Sequence, residues 1–212
     1  MPVQVKICGL STPATLDAAI KAGASHVGLM FFPPSPRHVD FDKAAELAAR
    51  VPSQVCKVGV FVEPCNALLD QAIAAGQLDA IQLHKTPANR AAAIATHTGL
   101  EIWATVAVRS HADLDAAAGY RGAAHRLLYD AMTPDGAALP GGMGLRFDWS
   151  LLAGFDHPLP WALAGGLTAD NVAEAIRATG APLVDVSSGV ETEPGIKDVD
   201  KIAAFLQAAQ QS

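Results

Sequence analysis

The chain has 212 residues, half of them apolar, with 18 glycines, 14 prolines and a formal net charge of −6. That length and apolar share suffice for a sizeable α/β core and argue against disorder. The acidic balance, without a lysine or arginine run, gives a nucleic-acid surface little support, and no apolar stretch is long enough for a membrane span.

The run from Val3 to Leu10 opens the chain as a strand in which Val3, Val5 and Ile7 alternate with Gln4, Lys6 and Cys8. One face is apolar and the other carries reactive groups. Gly9 ends this strand, and a helix is predicted from about Pro13 to Ala22, with Thr12 as its cap and Pro13 at the first helical position. A second strand, Val27 to Phe32, leads through a proline-rich turn to a helix from about Asp42 to Arg50. A third, Lys57 to Val62, precedes Glu63-Pro64 and a helix to about Ala74. Ala80 to His84 reads as the fourth, with a helix from about Pro87 to Thr96, and Ile102 to Val108 as the fifth, with a short helix from Ala112 to Ala118. Arg126 to Asp130 is the sixth. It is followed by the longest glycine-rich loop, Thr133 to Leu145, and by a brief helix capped by Asp148 and running through Leu152. Trp161 to Ala164 runs into Gly165-Gly166 as the seventh strand, with a helix from Ala169 to Ala178. Leu183 to Gly189 is the eighth, and a helix from about Val199 to Ala209 closes the chain.

Eight strand-then-helix units at about 26 residues each predict a single-domain (β/α)8 TIM barrel with eight parallel strands over residues 1–212, rather than an open doubly wound sheet. Sites in such barrels are built at the carboxyl ends of the strands. That face would gather Cys8, Arg37, His84, Asp130, Gly165, Gly166, Ser187, Ser188 and Gly189. By strand parity Lys6 and Asp185 both point inward, from strands that become neighbours at closure, which predicts an ion pair under the site. His84 points inward with Gln82, either as a satisfied core histidine or as a ligand contact.

Three cysteines, at 8, 56 and 65, make an odd number without metal-ligand spacing, and no apolar leader precedes Cys8, so a reducing cytoplasm is expected. Cys65, near a helix start, is the competing reactive thiol. None of the seven histidines forms a ligand pair at helical spacing, so no metal is expected. Ordinary roles stand beside the chemical ones: Cys8 as a small buried hydrophobe, Asp130 as a loop cap, the glycines as turn formers.

The segments VKICGL at 5–10, SPRHV at 35–39, VGVFV at 58–62, IQLH at 81–84, LLYD at 127–130, GGMGLRFDWSLL at 141–152, WALAGGLTADNV at 161–172 and VDVSSGVETEPGIKD at 184–198 run in one order over nearly the whole chain. In this combination the sequence closely resembles the phosphoribosylanthranilate isomerases, single-domain barrels of tryptophan biosynthesis. The resemblance implies an Amadori rearrangement of N-(5-phosphoribosyl)anthranilate, with Asp130 as general acid at the ring oxygen and Cys8, as thiolate, removing the C2′ proton. A carboxylic acid with an ordinary pKa of about 3.9 needs burial or a carboxylate neighbour to serve near neutrality, and a thiol near 8.5 needs a positive neighbour, for which Lys6 is placed. Arg37 would anchor the anthranilate carboxylate. Gly165, Gly166, Ser187, Ser188 and Gly189 would cradle phosphate, with Gly142 and Gly144 in a mobile loop over it. The resemblance implies a small phosphorylated substrate, no cofactor, and a monomer or homodimer. Two positions depart from the family pattern: Lys85, where glycine is usual after the histidine, and Ser11, where threonine is usual. Rival readings are another phosphosugar isomerase or epimerase barrel, a non-catalytic phosphosugar-binding protein, and a cysteine-nucleophile hydrolase; the strand-one cysteine argues against the first, the Cys8–Asp130 pair against the second, and the lack of a local signature for a partnered histidine or asparagine against the third.

Overall fold

A computed structural model describes all residues except 1, 135, 138 and 140, the last three lying in the loop foreseen over 133–145. Eight parallel strands close into a barrel in chain order: β1 (Gln4–Cys8), β2 (His26–Met30), β3 (Cys56–Val62), β4 (Ala80–His84), β5 (Glu101–Val108), β6 (Arg126–Ala131), β7 (Trp161–Leu163) and β8 (Leu183–Val186). Closure is made by β8 pairing with β1, with Lys6 opposite Asp185.

The period-two pattern divides the side chains between two cores. Outward residues such as Ile7, Leu29, Phe61, Leu83 and Leu127 pack under the helices, while Val58, Trp103, Leu128, Ala162 and Leu183 fill the barrel interior. Trp103 forms the floor, with the His26 ring edge-on at 5.3 Å and the Arg126 guanidinium 5.0 Å from its centroid. The polar residues above that floor therefore face a closed bottom and an open mouth.

The helices around the barrel are α1 (Pro13–Lys21), α2 (Phe41–Ala48), α3 (Asn66–Gly76), α4 (Ala88–Thr98), α5 (His111–Leu114), α6 (Val172–Thr179) and α7 (Val199–Gln210). Thr12, Asp40 and Asp198 accept from backbone N–H groups of the first turns of α1, α2 and α7, which fixes where these helices begin. No helix among the described residues is long and apolar enough to cross a membrane.

Three elements differ from expectation. The fifth helix holds α-geometry for only four residues before tightening into a 3₁₀ segment over Asp115–Tyr120. The brief segment capped by Asp148 is present at Trp149–Leu152 but winds as a 3₁₀ helix, and it is the helical element between β6 and β7 among the described residues. An aromatic cluster packs nearby: His157 stacks on Trp161 at 4.1 Å, and Tyr129 meets Phe155 and Trp161 edge-on. The eighth strand does not reach Gly189 but stops at Val186, because Ser187 adopts φ −126°, ψ −80° and turns the chain into a 3₁₀ segment over Ser188–Val190. A short antiparallel hairpin follows, β9 (Glu191–Glu193) and β10 (Ile196–Lys197).

Candidate active site

One cavity at the mouth of the barrel is lined by Cys8 and Asp130, by Arg37 and His84, and by Gly142, Gly144, Gly165, Gly166, Ser187, Ser188 and Gly189. Every residue nominated from the sequence thus faces the same space. Cys65 is not among them: it is exposed at the start of α3.

Cys8 ends β1, is 5% exposed, and lies in register with Gly28 of β2. A Cβ at Gly28 would fall 3.0 Å from both the Cys8 Sγ and its Cα and 3.2 Å from the Lys6 Cε, so a bare glycine is what leaves room for the thiol and the lysine stem. Lys6 is fully buried and donates at 2.9 Å to Asp185 Oδ1 and at 2.9 Å to Gln82 Oε1. The ion pair foreseen from parity is present. Burial pulls the Lys6 ammonium down, but Asp185 and Cys8 together hold it above its usual range.

The thiol itself departs from expectation. Burial pushes Cys8 above its ordinary value and outweighs the opposing pull of Lys6, whose charge is already committed to Asp185; Asp185 pushes the thiol the same way as burial, and Lys197 pulls it back. At neutral pH in this structure Cys8 is a thiol, and Lys6 alone does not make it a thiolate.

Asp130 has the opposite standing. Burial, with Asp185 nearby, raises its carboxyl to about 7 against the Ala131 N–H, which donates to Oδ1 at 2.8 Å, and against Lys6. It is a carboxylic acid poised to lose a proton near neutrality. A Cβ at Gly141 would come within 2.6 Å of its Oδ2, so the backbone of the sixth loop lies directly on the acid.

His84 is held neutral, lowered to about 4 by burial and then by Lys6 and Lys85. Its Nε2 meets the Gln82 amide nitrogen at 3.0 Å. With Gln82 Oε1 turned to Lys6, that amide donates and the histidine accepts, which leaves the ring proton on Nδ1. A hydrogen-bonded chain therefore runs Asp185–Lys6–Gln82–His84 across the barrel. Lys85, the residue after it, sits at φ +52°, the left-handed conformation that a glycine adopts without cost.

Arg37, in the loop after β2, is 3% exposed. Its Nε and Nη2 donate to Glu191 Oε1 and Oε2 at 2.7 and 2.8 Å, and Nη2 also donates to the Gly142 carbonyl at 3.0 Å. One fork of the guanidinium is therefore taken by the protein, and among the described residues Nη1 is the nitrogen with both hydrogens uncommitted. The turn after β7 is braced by Asn171, which donates to the Gly166 carbonyl at 2.9 Å and accepts from Thr168 N at 2.8 Å. Ser187, after β8, is braced by Lys197, which donates to its carbonyl at 2.9 Å and its hydroxyl at 3.1 Å.

Sequence reasoning passed over Gly28, Gln82, Gly141, Glu191 and Lys197. Gln82 was legible from parity with His84. Glu191 and Lys197 stand in a quoted motif, but their meeting with Arg37 depends on a hairpin too short to announce itself. Among the described residues no group of three or more histidine, cysteine or carboxylate side chains is arranged to hold a metal ion.

Residues 5–208 match the family described as N-(5′-phosphoribosyl)anthranilate (PRA) isomerase. The isomerase so named from Paramagnetospirillum magneticum is 55% identical over 212 residues, covering 99% of this chain and 98% of the relative. The crystal structure of phosphoribosyl anthranilate isomerase from Thermotoga maritima superposes with a TM-score of 0.88 at 33% identity, over 99% of this chain and 100% of that one. A phosphoribosyl anthranilate isomerase in complex with reduced 1-(o-carboxyphenylamino)-1-deoxyribulose 5-phosphate gives a TM-score of 0.86 at 32% identity, over 99% and 100% of the two chains.

Proposed function

The chain belongs to the N-(5′-phosphoribosyl)anthranilate isomerase family, and on that premise we propose that it converts N-(5-phosphoribosyl)anthranilate to 1-(2-carboxyphenylamino)-1-deoxyribulose 5-phosphate in tryptophan biosynthesis. We take residues 1–212 as one catalytic barrel. The observation that carries the reading is a buried thiol and a buried carboxylic acid held near pH 7, facing one cavity at the carboxyl ends of the strands.

The reaction needs a proton delivered to the ring oxygen and another removed from C2′. Asp130 supplies the first: protonated near neutrality, it donates as the ring opens and leaves an iminium ion at C1′. Cys8 takes the second, giving an enamine that tautomerises to the ketose. Because burial keeps Cys8 neutral at rest, the reacting species is its minority thiolate, with its proton released to water before the sixth loop covers the site. Lys6, Lys197 and the positive charge of the iminium favour that thiolate. The ion pair of Lys6 with Asp185 keeps a fixed cation below the reacting carbons.

For the rest of the substrate, Arg37 Nη1 is the donor edge for the anthranilate carboxylate. The turns Gly165–Gly166 and Ser187–Gly189 offer backbone N–H groups and hydroxyls to phosphate. Gly142 and Gly144 belong to the loop that closes over the ligand and excludes water. His84, neutral and held by Gln82, is a substrate contact through its Nδ1 proton. The partner is a small phosphorylated molecule, as in the relative bound to a reduced product analogue. A Thermotoga maritima relative is dimeric, and a monomer or a homodimer is compatible with this barrel. Three free cysteines support a reducing cytoplasm.

A tryptophan-requiring bacterial strain that lacks this isomerase tests the reading. Growth without tryptophan restored by the wild-type gene, and not by Asp130→Asn, is the expected result; a folded wild-type protein that restores nothing overturns it.

A further inference from the structure

Apart from the charge of Lys197, which acts on Cys8, the hairpin β9–β10 takes no part in the acid–base chemistry, yet it places two buried charged side chains behind the site, against Arg37 and Ser187. Glu191 and Lys197 are each 8% exposed. Glu191 grips Arg37 through both carboxylate oxygens, across 154 residues of sequence. Lys197 donates to Glu191 Oε1 at 2.6 Å and to the Ser187 carbonyl at 2.9 Å. At Gly195 the turn of the hairpin backs onto the Pro36 carbonyl, so closely that a Cβ there would fall 2.6 Å from the oxygen. The hairpin therefore touches the Arg37 loop through its backbone and through its side chains.

Two features set this cluster apart from an ordinary buried ion pair. It holds two cations against one carboxylate, a balance that favours a further anion beside Arg37, the one member of the cluster that lines the cavity. It also joins residues from both ends of the proposed ligand: Arg37 on the carboxylate side and Ser187 in a phosphate turn. An arginine in a loop has many rotamers, and a bidentate carboxylate removes most of them while leaving Nη1 without a partner among the described residues.

We propose that Glu191 is a positioning residue for carboxylate recognition, which fixes Arg37 with Nη1 turned to the anthranilate carboxylate, and that Lys197 ties this anchor to Ser187. The hairpin then sets the distance between the two anionic ends of the substrate. This inference rests on the isomerase reading.

The test compares wild type, Glu191→Gln, Glu191→Asp, Arg37→Ala and the double variant Glu191→Gln/Arg37→Ala as full chains. Each is measured for kcat, KM, melting temperature, and affinity for two probes: inorganic phosphate and the reduced product analogue. The positioning role predicts that Glu191→Gln raises KM and weakens the analogue at least tenfold, with kcat and phosphate affinity changed less than about threefold. Adding it to Arg37→Ala costs little more than Arg37→Ala alone, because Glu191 acts through Arg37. If Glu191→Gln folds poorly, Glu191→Asp keeps the charge and is expected to show a smaller loss of the same kind. An unchanged KM, an equal loss of both probes alongside the melting temperature, or losses that multiply in the double variant overturn the positioning role. Absence of wild-type turnover overturns instead the isomerase reading beneath it.

Discussion

The Lys6 ammonium donates at 2.9 Å to Asp185 at the seam where the first and eighth strands close the barrel, and the same ammonium lies beside the Cys8 thiol. One buried cation thus serves the fold and the site together. Lys6→Met leaves Asp185 buried without its partner and Gln82 Oε1 without its donor. The expected loss is about 3–5 kcal/mol, read as the shift in the urea midpoint. The Cys8 thiol should titrate still higher, since the cation that opposes burial is gone. An unchanged midpoint together with an unchanged thiol titration contradicts the role given to this pair.

Asp130→Asn separates activity from stability. In the folded chain the carboxyl is raised to about 7, whereas an unfolded aspartate titrates near the ordinary value. A carboxyl raised by folding favours the native state at low pH and opposes it as pH rises through the folded value. Asparagine has no charge to bury, so the variant should be more stable than wild type at pH 8 by up to about 4 kcal/mol, the free energy equivalent to raising the carboxyl from its ordinary value to about 7, a gain that shrinks toward pH 5. Turnover should fall by about 10²–10⁴. Thermal melts at the two pH values check the sign: a variant less stable at pH 8 contradicts the burial of an ionising group here.

The two histidines act in the other direction. His26 and His84 are both lowered to about 4, mainly by burial, so the unfolded chain binds their protons first as pH falls below the ordinary value near 6.5. Their contribution is fully present above that value and is lost progressively toward pH 4. His84→Gln should flatten the acid side of the stability curve between pH 6.5 and 4, measured by urea midpoints. An acid limb as steep as that of wild type contradicts the neutral, buried state assigned to His84.

Gly28 is expected to be intolerant of even one methyl group. The added carbon would meet the Cys8 backbone and Sγ at 3.0 Å, and a strand backbone cannot yield as a side-chain end can. Gly28→Ala should cost about 1–3 kcal/mol by overpacking. It should also lower kcat more than it raises KM, because the displaced group is the base and not a binding contact. Steady-state kinetics at wild-type kcat would contradict the placement of the thiol against β2.

Much of this was readable in the residues themselves. The alternation of Lys6 and Cys8 with Val5 and Ile7 placed both reactive groups inside the barrel, and the same parity brought Asp185 opposite Lys6. What the pattern could not give was the balance of fields at Cys8: position identified a cation beside the thiol, but not that burial outweighs it. Nor could it give Glu191. A two- or three-residue strand has too few positions to show alternation, so the sequence offers no sign that one fork of Arg37 is held by Glu191. The eighth strand is shorter than its sequence suggests, because Val186, Ser187 and Ser188 continue a β-prone run whereas the backbone turns at Ser187.

The pairing of Asp130 as acid with Cys8 as base is tested most directly by following the loss of anthranilate fluorescence when purified protein meets freshly made N-(5-phosphoribosyl)anthranilate, from pH 6 to 10, beside Cys8→Ala and Asp130→Asn. With Asp130 near 7 and Cys8 above its ordinary value, the form holding a protonated acid and a thiolate is a small, nearly constant fraction between the two values. The account predicts that wild-type kcat/KM rises through about pH 7, levels, and falls again once the thiol has ionised, and that both variants lose most turnover, the limb near 7 vanishing in whatever activity Asp130→Asn retains. Turnover that survives Cys8→Ala, or a limb near 7 that persists in Asp130→Asn, contradicts it.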